Sequence, residues 1–132
     1  MPAAFGAEGR PLDQGASFCV SYRYGEATPI DCPFFTAIRA CRVLRVMVRI
    51  LGTAASATGA IKKAASGTAA ASGTAITAST FAMDATTNTN LTPALTSTPA
   101  DLSLAAGDSL CLDVTGTLTG ATGVITVEMT WL

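Results

Sequence analysis

Histidine is absent from the 132 residues. Without imidazole there is no ordinary general base near neutral pH, no Ser–His nucleophile and no His-ligated metal. Charge is scarce, at 13% of residues, and basic charge stops at Lys63, beyond which no Lys or Arg occurs. Large rings are as unevenly spread, because only Phe81 and Trp131 follow residue 36. No stretch is long and apolar enough to cross a bilayer as a helix, since the strongest run, Val46-Met47-Val48, is flanked by Arg45 and Arg49. A P-loop, a G-x-G-x-x-G turn and a G-x-S-x-G elbow are also missing. Asp108 and Asp113 sit too close along the chain to flank a glycosidic bond. Asp84, Asn88 and Asn90 carry calcium-type oxygens but lack the glycine and terminal glutamate of a binding loop. Cys19, Cys32, Cys41 and Cys111 have no C-x-x-C spacing, which disfavours zinc. The first fifteen residues hold one base, Arg10, and no apolar leader segment. The expectation is therefore a chain made in a reducing cytoplasm with free, packing cysteines, and with no catalytic residues, no cofactor and no metal.

What is present is period-two alternation. Leu110, Leu112 and Val114 share one parity, with Ser109, Asp113 and Thr115 on the other. After GTLTGATG, the residues Ile125, Val127, Met129 and Trp131 alternate with Thr126, Glu128 and Thr130. Such alternation predicts antiparallel strands with one buried face, and the glycines between them predict a hairpin turn. Residues 17–24 (SFCVSYRY) predict a first strand, and residues 25–33 a loop broken by Pro29 and Pro33. The stretch RACRVLRVMVRIL fits a helix by Arg39, Arg42, Arg45 and Arg49 on one face, and a strand by Leu44, Val46, Val48 and Ile50 alternating with Arg45, Met47 and Arg49. β-Branched side chains decide for a strand over about residues 41–51. The Ala/Ser/Thr/Gly tract of 52–75 holds Ile61, with Ile76 just beyond, inside glycine-bounded pieces that suit short strands. Further short pieces fall near 92–95 and at Leu102 and Leu104. The predicted architecture is all-β: an antiparallel β-sandwich, or jelly roll, of about eight short strands. It comprises an irregular extended arm at 1–16, rich in Pro and Gly, and a single domain at 17–132.

The charge is divided between halves. Residues up to Lys63 carry a net +4 and the remainder −5. In a sandwich the halves interleave, so the expectation is oppositely charged strands side by side and no nucleic-acid partner. Phe5, Phe18, Tyr22, Tyr24, Phe34 and Phe35 all precede residue 36. Two uses of these rings stand open: capping one end of the core, or anchoring a partner, since aromatics and arginine dominate interface centres. The candidate interface set is Phe5, Arg10, Tyr22, Arg23, Tyr24, Phe34, Phe35 and Arg39. Trp131 is predicted to face inward with Met129, Val127 and Ile125, opposite Leu110 and Leu112.

Three tracts, CRVLRVMVRILGTA, the pieces around KKAASGTA and SGTAITAST, and LTSTPADLSLAAGDSLCLDVTGTLTGATGVITVEM, resemble the small capsid cement, or decoration, proteins of tailed bacteriophages. AAGDSLCLDVTGTLTG carries the resemblance most specifically. It covers the chain from Cys41 to Leu132. The resemblance implies a jelly roll on the outer capsid surface of a virion that bridges subunits of the major capsid protein, often as a homodimer. Low charge and surplus apolar residues independently suggest surface covered by a partner. The competing expectations are a carbohydrate-binding sandwich and a tail- or fibre-associated module.

Overall fold

Side-chain alternation becomes strand where the inward parity is aliphatic or aromatic. The computed structural model describes residues 15–132, plus the backbone of two short paired strands, β1 (Ala3–Phe5) and β2 (Glu8–Gly9). The rest of the expected arm, with Arg10 and the Phe5 side chain, lies outside the described residues. The body is built from β3 (Ser17–Gly25), β4 (Asp31–Thr36), β5 (Cys41–Gly52), β6 (Ser56–Ala64), β7 (Thr74–Ala75), β8 (Phe81–Ala82), β9 (Asn90–Leu91), β10 (Ser103–Leu104), β11 (Ser109–Thr117) and β12 (Thr122–Trp131).

Pairing is nested. The first of these strands, β3, pairs with the last, β12, and β4 pairs with β11. The pieces β9 and β10 both lie along β5, and β7 and β8 along β6. Every pair is antiparallel, so the chain folds back on itself once, like a single long hairpin. Rolling that hairpin adds β5–β12 and β6–β11. The result is a first sheet ordered β3-β12-β5 with β9 and β10 at its far edge, and a second ordered β4-β11-β6 with β7 and β8. Counting each pair of stubs as one position gives eight, the jelly-roll arrangement.

Several sequence expectations change. Residues 92–95 form no strand: the short strand there is β9 at Asn90–Leu91, with an isolated bridge from Leu95 to Thr77. Leu102 ends a 3-10 turn at Pro99–Leu102 rather than sharing a strand with Leu104. Within the arm expected to be irregular, β1 and β2 are paired. Residues 109–117 and 122–131 are strands, but they do not form a hairpin with each other. The connection at 118–121 crosses between sheets, and each strand pairs with partners far away in the chain. Nor are residues 25–33 all loop, because β4 begins at Asp31 and includes Pro33. As an edge strand it tolerates a residue without an N–H.

The core fills the gap between sheets. Val43, Val46, Val48 and Ile50 of β5, Ile125, Val127 and Met129 of β12, Ile61 of β6 and Leu110 and Leu112 of β11 are all buried. Each side chain of this size contributes about 1.5–3 kcal/mol on full burial. Lys63 ties the two layers at one end. Its Nζ donates to Ala100 O at 2.9 Å and Ser103 O at 2.7 Å.

Each sheet also lays a ring over a glycine. Tyr24 is opposite Gly123 in the first sheet, and Phe81 is opposite Gly59 in the second. A Cβ on Gly59 would lie 2.8 Å from Phe81 Cζ, and one on Gly123 would collide with Tyr24 Oη and Arg49 O. Tyr24 is only 1% exposed, and its hydroxyl finds no hydrogen-bond partner among the described residues. Burial also pushes its pKa upward.

Gly123→Ala should therefore cost about 1–3 kcal/mol through overpacking. Tyr24→Phe should cost nothing and gain up to about 1 kcal/mol, because it deletes a buried hydroxyl that pairs with nothing. Urea melts of both variants check this. A loss above about 1 kcal/mol for Tyr24→Phe would mean that the hydroxyl is satisfied after all.

Candidate interaction surface

Parity sends one set of side chains into the core and the other to the outer face of the first sheet. Opposite residues on β3, β12 and β5 form four rows there: Arg23–Val124–Arg49, Ser21–Thr126–Met47, Cys19–Glu128–Arg45 and Ser17–Thr130–Arg42. Four arginines against one glutamate leave this grid at +3. Arg45 donates from Nε and Nη2 to Glu128 Oε1 at 3.3 and 3.2 Å. Arg49 Nη1 donates to Asn90 Oδ1 at 3.1 Å. Among the described residues no carboxylate pairs with Arg23, Arg42 or Arg49.

The grid is also partly apolar. The β5–β12 register slips between Glu128 and Met129, so Leu44 has no opposite residue and stands 41% exposed. Bulges commonly re-aim a side chain in this way. Met47, 39% exposed, separates two shallow grooves. One is lined by Cys19, Arg45, Met47, Thr126 and Glu128, and the other by Met47, Val48, Arg49, Asn90, Val124 and Thr126.

The interleaving of early bases with late acids is thus half realised. Arg45–Glu128 and Lys62–Asp113, the latter 2.8 Å apart, are such pairs. The remaining arginines of the grid have no such neighbour among the described residues.

The outer face of the second sheet differs. The turn at Ala70–Ser72 folds over it, and Ala64, Ala70 and Cys111 form a small buried cluster. Lys62 is half-buried, and its Nζ also donates to Ala71 O at 3.0 Å. Much of this face is therefore already covered.

The candidate residues divide accordingly. Arg23 is exposed on the grid. Tyr24 is a core ring, a correction to its place in the interface set: Gly123 opens the space that it fills. Tyr22, Phe34 and Phe35 are half-buried and pack against the core. Tyr22 stacks on Phe34 with ring centroids 5.7 Å apart, and Phe18 lies 6.1 Å from Phe35. The β4–β11 register slips between Leu110 and Cys111, leaving Phe34 without an opposite residue. Trp131 is half-buried and closes the end of the core rather than filling its middle. Its ring stacks on Phe18 at 4.3 Å, and the Arg39 guanidinium sits 5.3 Å from the ring centroid. Every described aromatic ring is buried in the core or packs against it. Sequence reasoning missed Arg42, Arg45, Arg49, Leu44 and Met47. For Arg45, Met47 and Arg49 the signal was their shared parity along β5; Arg42 and Leu44 lie on the other parity and join the same face only through the slip in the β5–β12 register.

No protein-family model, curated protein or solved structure matches the chain.

The four thiols are free, with Cys19 exposed and Cys32, Cys41 and Cys111 buried. Burial, with Asp108 nearby, raises the Cys41 pKa. Burial, with Cys32, Asp31 and Asp113 around it, raises that of Cys111. A thiol reagent should label one cysteine of the native protein rapidly and the other three only on unfolding. Mass mapping should locate the fast label at Cys19. Fast labelling of Cys41 or Cys111 would contradict their burial.

Proposed function

We propose that this protein is a virion structural protein, a cement protein that binds the outside of an icosahedral phage capsid and bridges major capsid protein subunits. The observation that carries a binding role is the arginine grid of the first sheet, where Leu44 and Met47 are exposed among four guanidinium groups, three of which (Arg23, Arg42 and Arg49) have no carboxylate partner among the described residues. Arginine with apolar residues is the composition of interface centres. Unpaired surface charge orients a partner and speeds its encounter. The choice of a capsid as partner rests on the sequence tracts that resemble cement proteins. A rigid sandwich suits that task, because a clamp touching several subunits gains avidity without strong individual contacts.

The grid would meet an acidic, partly apolar surface on the shell. Cementing calls for no chemistry, only shape and charge. In this reading Arg23, Arg42 and Arg49 are the orienting charges and Met47 the central apolar contact.

Heads assembled from the major capsid protein of the same genome, mixed with this chain and sedimented, provide the test. The wild-type chain should co-sediment, and occupancy should fall with added salt because surface charges are screened. Arg42→Glu combined with Arg49→Glu should cut the affinity at least roughly tenfold, while the melting temperature stays nearly unchanged. If the double variant coats heads normally, attachment lies elsewhere. If the wild-type chain binds no form of the head, the cement reading fails.

A further inference from the structure

A sheet edge offers unpaired backbone groups to any passing strand, and proteins guard such edges with short strands, proline, bulges or charge. Three of the four edges here are guarded in that way. The far edge of the first sheet is only the two-residue pieces β9 and β10, and that of the second is only β7 and β8. The other edge of the second sheet, β4, carries Asp31 and Pro33 and a register slip. β3 is different. It runs nine residues, pairs with β12 without a slip, contains no proline or acid, and has Arg23 as its one charge.

Its free side can be worked out. Trp131 N–H donates to Ala16 O at 3.1 Å, so residue 16 faces β12. Backbone direction alternates along a strand. Phe18, Val20, Tyr22 and Tyr24 then also face β12, and Ser17, Cys19, Ser21 and Arg23 point their N–H and C=O groups outward. Gly25 ends the series, since its N–H and C=O are held by Thr28 at 2.9 and 3.0 Å. Among the described residues no strand pairs with this side. A second observation agrees. Phe18, Val20 and Tyr22 face the core yet stay half-buried, whereas Met129, Val127 and Ile125 beside them on β12 are fully buried. The apolar exposure that remains lies along the open edge.

We infer that β3 pairs antiparallel with β3 of a second copy about a two-fold axis through Val20, joining the two first sheets into one. An antiparallel edge is self-complementary, as a two-fold contact requires. Centring on Val20 keeps inward residues inward. It sets Cys19 opposite Ser21 of the second copy, and Arg23 opposite Ser17 of the second copy, so the two Arg23 residues do not meet. Phe18 falls opposite Tyr22 of the second copy, which continues the core across the junction. This inference does not rest on capsid attachment, and its test involves no capsid.

Sedimentation of the full chain at micromolar concentration should give a dimer. A short bis-maleimide should join the two Cys19 thiols, which share one face on opposed strands. Cys19→Ser should abolish that cross-link and leave the dimer mass unchanged. Ser21→Pro removes one outward N–H per copy and should raise the dimer dissociation constant at least roughly tenfold, with a cooperative melt retained. Hydrogen exchange of the wild-type chain gives a readout that survives if Ser21→Pro fails to fold. The Cys19 and Ser21 amides should exchange more slowly as concentration rises. A monomer with fast exchange at both amides overturns the inference, as does a Ser21→Pro variant that dimerises normally. Protection in a monomer that vanishes when residues 1–14 are removed also overturns it, by assigning the edge to the chain's own N-terminal segment.

Discussion

Everything else in the structure hangs on β12 lying between β3 and β5. The last strand meets the first, and the rows Phe18–Met129–Val43, Val20–Val127–Val46 and Tyr22–Ile125–Val48 run across three strands on the inward face. These rows supply the floor of the core, and β11 with β6 supplies its roof. The β3–β12 ladder joins residues about a hundred positions apart, from Gly25–Thr122 to Ser17–Thr130. Loop-closure cost rises only slowly with length, so such a pairing is thermodynamically affordable. Kinetically it must wait for distant contacts, which places the fold among slower-folding topologies.

The same alternation that makes the floor makes the grid above it. A strand cannot bury Val43, Val46, Val48 and Ile50 without turning Arg42, Arg45, Met47 and Arg49 outward. The slip at Leu44 changes the phase once and adds an apolar side chain to the exposed set. Core and candidate interaction surface are therefore two faces of one pattern. Substitutions on the outward parity should act on recognition and those on the inward parity on stability, with little exchange between them.

The second sheet plays a different part. Its outer face is occupied by the chain's own turn at Ala70–Ser72 and by the Lys62–Asp113 pair, whose side chains are each about one-fifth exposed. Small residues make that closeness possible, since Ala64 and Ala70 let the turn pack onto Cys111. The low-complexity tract is thus neither linker nor arm. It is a strand followed by a covering turn, and its alanines are there to permit close approach. Among the described residues, one outer face of the sandwich is thus covered by the chain itself and the other is open.

Strand identity could be read from sequence wherever alternation was strong: β3, β5, β11 and β12 lie nearly where parity put them. The inward set of β12 was legible for the same reason, since parity is a local property of the chain. Pairing was not. Residues 109–117 and 122–131 look like a hairpin from their spacing, and only the packing of two sheets shows that they lie on opposite sides of one core. β4 was hidden because proline reads as a breaker until the strand is known to be an edge. Tyr24 looked like an anchor because nothing local says that Gly123, ninety-nine positions away, leaves room for its ring. The arginines of β5 were visible, but whether a carboxylate faced each of them depended on which strands became neighbours. Alternation belongs to the chain; partnership belongs to the fold, because it is set by long-range burial that no local pattern encodes.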